Sequence, residues 1–182
     1  MRAFNAYVCG LTMAALGSLA GCADGAAKSA DVADGIRSKL DQAGLKSVTV
    51  AQDRDKGIVT LTGNVPVEAD KEQAARIAKD LAGTQVVANE LAVVMPGAES
   101  EAKKVNAALD KGIESNLEAA LVKEKLQAGI SYAATNRVVT LTGNVDSQEK
   151  RARVEKIAAA IPNTQQVVNE LQVIGQKASS TK

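Results

Sequence analysis

The sequence predicts an α+β protein made of two tandem α-β-β-α-β two-layer sandwiches, each a small mixed three-stranded sheet with two helices on one face. The first observation is an internal repeat. When the 182-residue chain is shifted by 80 positions, residues 57–94 align with residues 137–174, and 16 of the 38 pairs are identical, so the segments are copies of one unit. The second observation is that each copy alternates helical apolar spacing with short runs of period two.

Each copy begins with an amphipathic helix and continues with a hairpin, a second helix and a third strand. Ile36 and Leu40 lie four residues apart in the helix predicted at 31–43, and Leu117 and Leu121 repeat that spacing before Gly129. The second helices are predicted at about 67–82 and 147–160. The strands are predicted at 48–50, 58–62 and 85–94 in the first copy and at 130–132, 138–142 and 165–174 in the second.

Local signals place the ends and faces of these elements. Gly63 and Gly143 are expected to end the middle strands. The stripe of Ala74, Ile77 and Leu81 is expected to face the sheet, and Asp146 to Glu149 resembles a capping box at the start of the last helix. Strand parity predicts that the helices cover one sheet face and that the other is polar and open. The open-face side chains are Thr60, Thr62, Glu90, Thr140, Thr142 and Glu170.

The composition removes several classes of function. The chain has no His and no Trp, its aromatic content is 2%, and its formal charge is +1. A nucleic-acid binder is usually strongly basic, and His is the commonest general base and metal ligand. We therefore predict a protein that is not an enzyme, with no catalytic residue, no metal site, no cofactor and no nucleic-acid partner.

The N-terminus resembles a bacterial lipoprotein signal. A short apolar stretch follows Arg2 and ends in Leu19-Ala20-Gly21-Cys22, which is similar to a lipobox. The resemblance implies a signal peptide at 1–21, recognition of Leu19, Ala20 and Gly21 by the signal peptidase, and lipidation of Cys22 with palmitate-type acyl chains. Ala23 follows Cys22, which favours the periplasmic face of the outer membrane over the inner membrane. The alternative is an ordinary secretory signal with a chance Cys.

Each repeat resembles a BON domain, the bacterial OsmY and nodulation domain. The residues that carry the resemblance are Gly57-x-Val59-x-Leu61-x-Gly63-x-Val65 and Val87-x-Asn89-x-Leu91-x-Val93. The second copy departs from the pattern at Arg137 and Asn163, where glycines are expected. The resemblance implies an envelope location, a role in envelope integrity or osmotic stress, contact with phospholipid, and no enzymatic activity.

The predicted organisation follows from the repeat and its flanks. A lipidated tether at 22–30 precedes a first BON domain at 31–95. A linker with helix-forming residues at 96–110 leads to a second BON domain at 111–175, and a polar tail at 176–182 is predicted to be disordered.

Basic residues of the second copy are the candidate contacts to lipid headgroups. They are Lys123, Lys125, Arg137, Lys150, Arg151, Arg153 and Lys156. Near an anionic membrane each contributes about 1 kcal/mol. The plainer alternative is a solvated helix face with mixed charges. For the protein as a whole, two hypotheses follow: a lipid-surface module anchored by its acyl chains, or a scaffold that recruits an envelope protein partner through exposed sheet faces or edges.

Overall fold

A computed structural model describes residues 28–174 of the chain. Each half contains two helices and four strands, in the predicted order except that the third strand is divided. The elements of the first half are α1 (Ala33–Gln42), β1 (Val48–Asp53), β2 (Ile58–Val65), α2 (Glu68–Ala82), β3 (Val86–Asn89) and β4 (Ala92–Val93). Those of the second half are α3 (Glu99–Lys123), β5 (Ile130–Thr135), β6 (Val138–Val145), α4 (Gln148–Ala159), β7 (Gln166–Asn169) and β8 (Gln172–Val173).

The sheets are mixed, as predicted. In the first domain β2 is central. It pairs antiparallel with β1, with Val50 opposite Leu61, and parallel with β3 and then β4. The second domain repeats this arrangement around β6. Because β3 and β7 each pair on one side only, their outer edges face away from their own sheets.

The division of the third strand has a local cause. After Asn89 the chain leaves the ladder for two residues, and the Asn89 side chain accepts a hydrogen bond from the Leu91 N–H at 3.4 Å. Asn169 does the same for Leu171 at 3.1 Å. Each Asn side chain therefore bonds the backbone of the turn that interrupts the third strand.

The expectation that Gly63 and Gly143 end the middle strands is wrong. Both residues lie inside strands that continue to Val65 and Val145. At Gly63, with φ of 123°, an added Cβ would lie 2.3 Å from the carbonyl oxygen of Ser47. These glycines permit a close backbone approach within a continuous strand, which is a second common role of glycine in sheets.

Each domain has its own apolar core between sheet and helices. Ile36, Leu40 and Leu61 are at most 1% exposed in the first domain, and Leu117, Leu121 and Leu141 are fully buried in the second. The predicted stripe on α2 is only partly right. Ala74, Ala78 and Ala82 are buried, whereas Leu81 is 38% exposed, because the small alanines bring the helix close to the sheet.

The second half begins with one long helix. The linker predicted at 96–110 is helical from Glu99, and α3 continues without interruption to Lys123. At the start of α4 the N-cap is Ser147, whose side chain accepts a hydrogen bond from the Lys150 N–H. The capping box predicted from Asp146 is therefore wrong by one residue, because Asp146 precedes the cap.

Within residues 28–174, the first domain has a strap that the second domain lacks. Residues 28–31 run along the β1–β2 hairpin. The Ser29 N–H donates to the Arg54 carbonyl at 2.9 Å, and Lys28 forms a 3.2 Å ion pair with Asp55. The part of the predicted tether that the structure describes is thus held against the domain.

Candidate functional site

The basic run of α4 is divided between two sides of the helix. Because successive residues on a helix are 100° apart, Lys150 and Arg153 lie on the side near α3, whereas Arg151 points towards β7. The Lys150 Nζ donates to the Ala128 carbonyl at 3.4 Å, and Arg153 forms an ion pair with Glu124. The Arg151 Nη2 donates to the Asn169 carbonyl at 3.1 Å. Sequence neighbours therefore serve two different surfaces.

Lys123 and Lys125 lie at the C-terminal end of α3, on either side of Glu124, the residue that pairs with Arg153. The chain reverses there through a left-handed residue, with the Leu126 N–H donating to the Leu121 carbonyl at 2.8 Å. That left-handed residue is Lys125, with φ of 56°. Glycine is usual at such helix ends because it has no Cβ to clash, and the first domain does place Gly44 there, with φ of 82°.

These residues form one solvated surface at the end of α3 and along α4, which we call the basic end. It consists of Lys123, Lys125, Lys150, Arg153 and Lys156. Lys156 is one turn from Arg153 and exposed. Lys150 and Arg153 are partly neutralised by Asp146 and Glu124. Within residues 28–174, no carboxylate lies within ion-pair distance of the other three lysines.

The equivalent surface of the first domain has little positive charge. The repeat alignment places five residues there: Gln42, Gly44, Asp70, Gln73 and Arg76. The single cation, Arg76, forms a 3.8 Å ion pair with Glu72. Since both domains have the same backbone arrangement, the charge of the basic end is a property of the second domain's sequence alone.

Arg137 lies elsewhere, in the β5–β6 turn at the contact between the domains. Its N–H and that of Asn136 donate to the two carboxylate oxygens of Asp110, at 2.8 and 2.9 Å. Burial, together with the charge of Arg137, lowers the pKa of Lys71 below its usual value, while Glu68 acts in the opposite direction. The structure therefore brings five of the seven predicted basic residues together and separates Arg137 and Arg151 from them.

The two domains contact each other through the sheet faces that were predicted to be open. Ile58, Ala88, Val138 and Val168 form a buried apolar cluster between them. A 2.6 Å ion pair joins Lys56 to Glu170, and Glu170 raises the pKa of the Lys56 ammonium above its usual value. Thr60, Thr62, Thr140 and Thr142 are partly buried. Part of each predicted partner-binding face is therefore covered by the other domain.

Sequence reasoning missed two polar residues at this contact. Gln166 donates from Nε2 to the Val87 carbonyl at 2.6 Å, and its Oε1 accepts from the Asn89 N–H at 3.0 Å. Lys71 is 6% exposed, and its Nζ donates to Gln165 at 3.0 Å. The available signal was the repeat itself, because Val86 occupies the position in the first copy that corresponds to Gln166.

The remaining predicted features fall partly outside the structure. The signal peptide at 1–21 with Leu19, Ala20 and Gly21, the lipidation site Cys22 and the tail at 176–182 all lie outside the described residues. Between residues 28 and 174, no helix is long and apolar enough to cross a membrane. The same residues contain no group of three or more side chains placed to hold a metal ion.

Comparison with known proteins identifies the family. The family model described as "BON domain" matches residues 28–95 and 109–175, which together are most of the chain. The protein therefore belongs to the BON-domain family and contains two copies of the domain.

Among curated proteins, the chain is similar to the osmotically-inducible protein Y of Escherichia coli strain K12. The two are 31% identical over 134 residues, which cover 72% of this chain and 65% of that protein. The matched region thus spans somewhat less than two thirds of the relative's length.

Among solved structures, the chain matches two of CdsD, described as a structural protein of the type III secretion system of Chlamydia trachomatis. One, of the C-terminal domain, has 15% identity and a TM-score of 0.32, and covers 78% of this chain and 67% of that chain. The other has 16% identity and a TM-score of 0.30. These scores are too low to inform the fold or the function.

Proposed function

We propose that this protein is a non-catalytic envelope protein that contacts anionic phospholipid through the basic end of its second domain. Acyl chains on Cys22 would anchor it to the periplasmic face of the outer membrane, where it supports membrane integrity or tolerance of osmotic stress. The similarity to osmotically-inducible protein Y supports the envelope and osmotic-stress part of this proposal. The family assignment supports a role without catalysis.

The observation that carries the lipid contact is the charge difference between equivalent surfaces. The basic end has five cations and the first domain has one at the same places. Lys123, Lys125 and Lys156 have no carboxylate partner within residues 28–174, so their charge is available to anionic headgroups. At about 1 kcal/mol each, the three would strengthen membrane partitioning about 100-fold.

The backbone at Lys125 supports the same surface. A lysine in the left-handed conformation costs about 1 kcal/mol relative to glycine, and the first domain avoids this cost with Gly44. Unfavourable local conformations of this kind often occur where a side chain serves a function. A headgroup contact by the Lys125 ammonium gives a reason for the lysine.

The strap along the first hairpin is consistent with anchoring at the membrane. From Cys22 to Ala27 the chain reaches at most about 20 Å, and Lys28 is already held by Asp55. Acyl chains on Cys22 would therefore keep the first domain near the bilayer, and the second domain would be held there by its contact with the first.

Liposome sedimentation of residues 23–182, which include every described residue, tests the lipid contact. Vesicles rich in phosphatidylglycerol should sediment the wild-type chain at low salt but not at high salt. Replacing Lys123, Lys125 and Lys156 by Gln should weaken binding about 100-fold. The matched control replaces Lys39, Lys46 and Lys79, which are exposed lysines of the first domain.

The control keeps the net charge equal between the two variants, so only the position of the charge differs. Equal loss in both variants would mean a non-specific charge effect and would contradict the proposal, as would a wild-type chain that does not bind at low salt. A complex with an envelope protein that forms without lipid would instead favour the scaffold hypothesis.

A further inference from the structure

The contact between the domains has an approximate two-fold symmetry that follows from the repeat. The buried apolar cluster consists of Ile58 and Ala88 together with Val138 and Val168, the equivalent residues 80 positions later. The outer edges of β3 and β7 lie close together at this contact. A side chain from the other domain therefore lies at each edge, and the two side chains occupy equivalent positions. Gln166 lies at the edge of β3, and Val86 lies at the edge of β7.

On the β3 side, the Gln166 side chain forms hydrogen bonds with the backbone of the edge. The carboxamide of Gln166 donates to the Val87 carbonyl at 2.6 Å and accepts from the Asn89 N–H at 3.0 Å. These are the two groups that a neighbouring strand would bond, so one side chain takes the place of a peptide unit. These two groups on the outer edge of β3 are therefore already hydrogen-bonded within the chain.

On the β7 side the equivalent place is vacant. Val86 is 47% exposed and offers no polar atom. The Glu170 N–H donates to the Leu141 carbonyl of β6 at 2.8 Å, and alternation along the strand directs the Asn169 N–H outwards, as at Asn89. Within residues 28–174, no side chain takes the place that Gln166 takes on the other side.

A cleft of about 300 Å³ occupies this position, and we call it the β7 cleft. The lining residues used below are Asp55, Lys56, Val86, Arg151, Asn169 and Glu170. Its two carboxylates already have cations, since Asp55 pairs with Lys28 at 3.2 Å and Glu170 with Lys56 at 2.6 Å.

Arg151 is the group in the cleft whose charge is not compensated. Its Nη2 bonds the Asn169 carbonyl, and its Nε is buried without an acceptor in the described part of the chain. No carboxylate between residues 28 and 174 forms an ion pair with it. A guanidinium beside an outward N–H is the donor set that recognises a carboxylate.

We propose that the β7 cleft binds the carboxylate of a Glu or Asp side chain in an acidic segment of a partner protein. The carboxylate takes the place beside β7 that the Gln166 carboxamide takes beside β3, with Arg151 supplying the charge and the Asn169 N–H a hydrogen bond. This site lies apart from the basic end, so it does not depend on lipid binding.

Amide chemical shifts of the ¹⁵N-labelled chain during titration test the proposal. The probe is the blocked tripeptide acetyl-Gly-Glu-Gly-amide, with acetyl-Gly-Lys-Gly-amide and sodium acetate as comparisons. The Glu peptide should shift the amides from Val167 to Glu170, and Arg151→Gln should weaken binding at least about tenfold. The Lys peptide should leave these amides unchanged.

The sharpest variant is Val86→Gln, which supplies the carboxamide that the β7 side lacks. It should protect the Asn169 amide from hydrogen exchange and prevent the Glu peptide from binding. Because Val86 is half exposed, the variant should fold normally, and Val67→Gln, at a residue 49% exposed, is its matched control.

Three results would overturn the proposal. The first is the absence of shifts at these amides up to about 10 mM peptide, well above the range of a millimolar site. The second is unchanged binding in Val86→Gln. The third is acetate binding as tightly as the Glu peptide, because the ligand would then be any free carboxylate rather than a protein segment.

Discussion

The two BON domains of this chain have nearly the same backbone and the same core but different surfaces. Residues identical between the copies include Val59, Leu61 and Leu91, with their partners 80 positions later, and these are buried in both domains or nearly so. The differences fall at the end of the first helix, along the second helix and at the outer sheet edge. The two copies therefore share the buried residues that form the core and differ in the side chains exposed on the surface.

Several of these differences add positive charge to the surface of the second domain. It has Lys125 where the first domain has Gly44, and Lys150 and Arg153 where the first has Asp70 and Gln73. The first domain instead has the strap at its hairpin. Under the proposed function, the first domain would stay near a lipidated Cys22, and the second domain would make the contact with phospholipid.

The largest expected effect tests whether the shared backbone requires glycine at the equivalent position of both domains. In Gly143→Ala the new Cβ would lie 2.2 Å from the Gly129 carbonyl oxygen at a φ of 116°. We expect a loss of at least about 3 kcal/mol in the unfolding free energy of the second domain, measured by urea denaturation, and a similar loss in the first domain for Gly63→Ala.

Gly112→Ala is the control for this prediction. Nothing lies within 4 Å of a Cβ built there, and an alanine within α3 should stabilise it by about 1 kcal/mol. A Gly143→Ala protein as stable as the wild type would show that the close approach at Gly143 is not rigid.

The next effect sharpens the comparison at the helix ends. Lys125→Gly should raise the unfolding free energy by about 1 kcal/mol, because glycine adopts the left-handed conformation without strain. The same change should weaken binding to anionic vesicles about fivefold, since one headgroup contact is lost. Thermal denaturation and sedimentation measure the two effects. Lower stability in Lys125→Gly would contradict the interpretation.

A smaller effect concerns the ion pair between the domains. Lys56→Gln should lower the unfolding free energy by about 0.5 kcal/mol at pH 7, because Lys56 is half exposed and its interaction with Glu170 is screened by solvent. The pKa of Lys56 is raised in the folded state, so its contribution is present below pH 10.5 and is lost as the pH rises through the raised pKa. Lys46→Gln should change nothing.

The smallest effect concerns Glu90, the residue of the first domain that is equivalent to Glu170. Burial, and then the charge of Asp110, raise the pKa of Glu90 above its usual value, so the folded state disfavours the ionised form. Glu90→Gln should therefore stabilise the protein at pH 7, by no more than about 0.5 kcal/mol. The gain should decrease as the pH falls through the raised pKa and vanish well below 4.5. A gain that is independent of pH between 4 and 7 would contradict this account.

The sequence was sufficient for the fold because the repeat and the periodicities report directly on burial. Leu61 and Leu141 alternate with threonines, and that pattern predicts the buried face correctly. It was insufficient at Gly63, where a turn signal coincided with a close approach between strands. On α2 the buried face differs from the predicted one, because Ala78 and Ala82, and not Leu81, pack against the sheet.

The candidate site was predictable in part. Arg151 and Arg153 are near neighbours in the sequence and are both predicted to contact headgroups, but the helical rotation of 100° per residue sends Arg151 to β7 and Arg153 towards α3. The β7 cleft was not predictable, because it depends on how the two domains pack. Only that packing places Gln166 at the edge of β3 and Val86 at the edge of β7, where the difference between them matters.

If the proposed function is right, the second domain, and not the first, faces anionic lipid. The most direct test is acetylation of lysine amines with and without phosphatidylglycerol vesicles, read by mass spectrometry at each lysine of the same molecule. Vesicles should protect Lys123, Lys125 and Lys156 severalfold and leave Lys39, Lys46 and Lys79 as reactive as in solution. Equal protection of both sets, or protection confined to the first domain, would contradict the account.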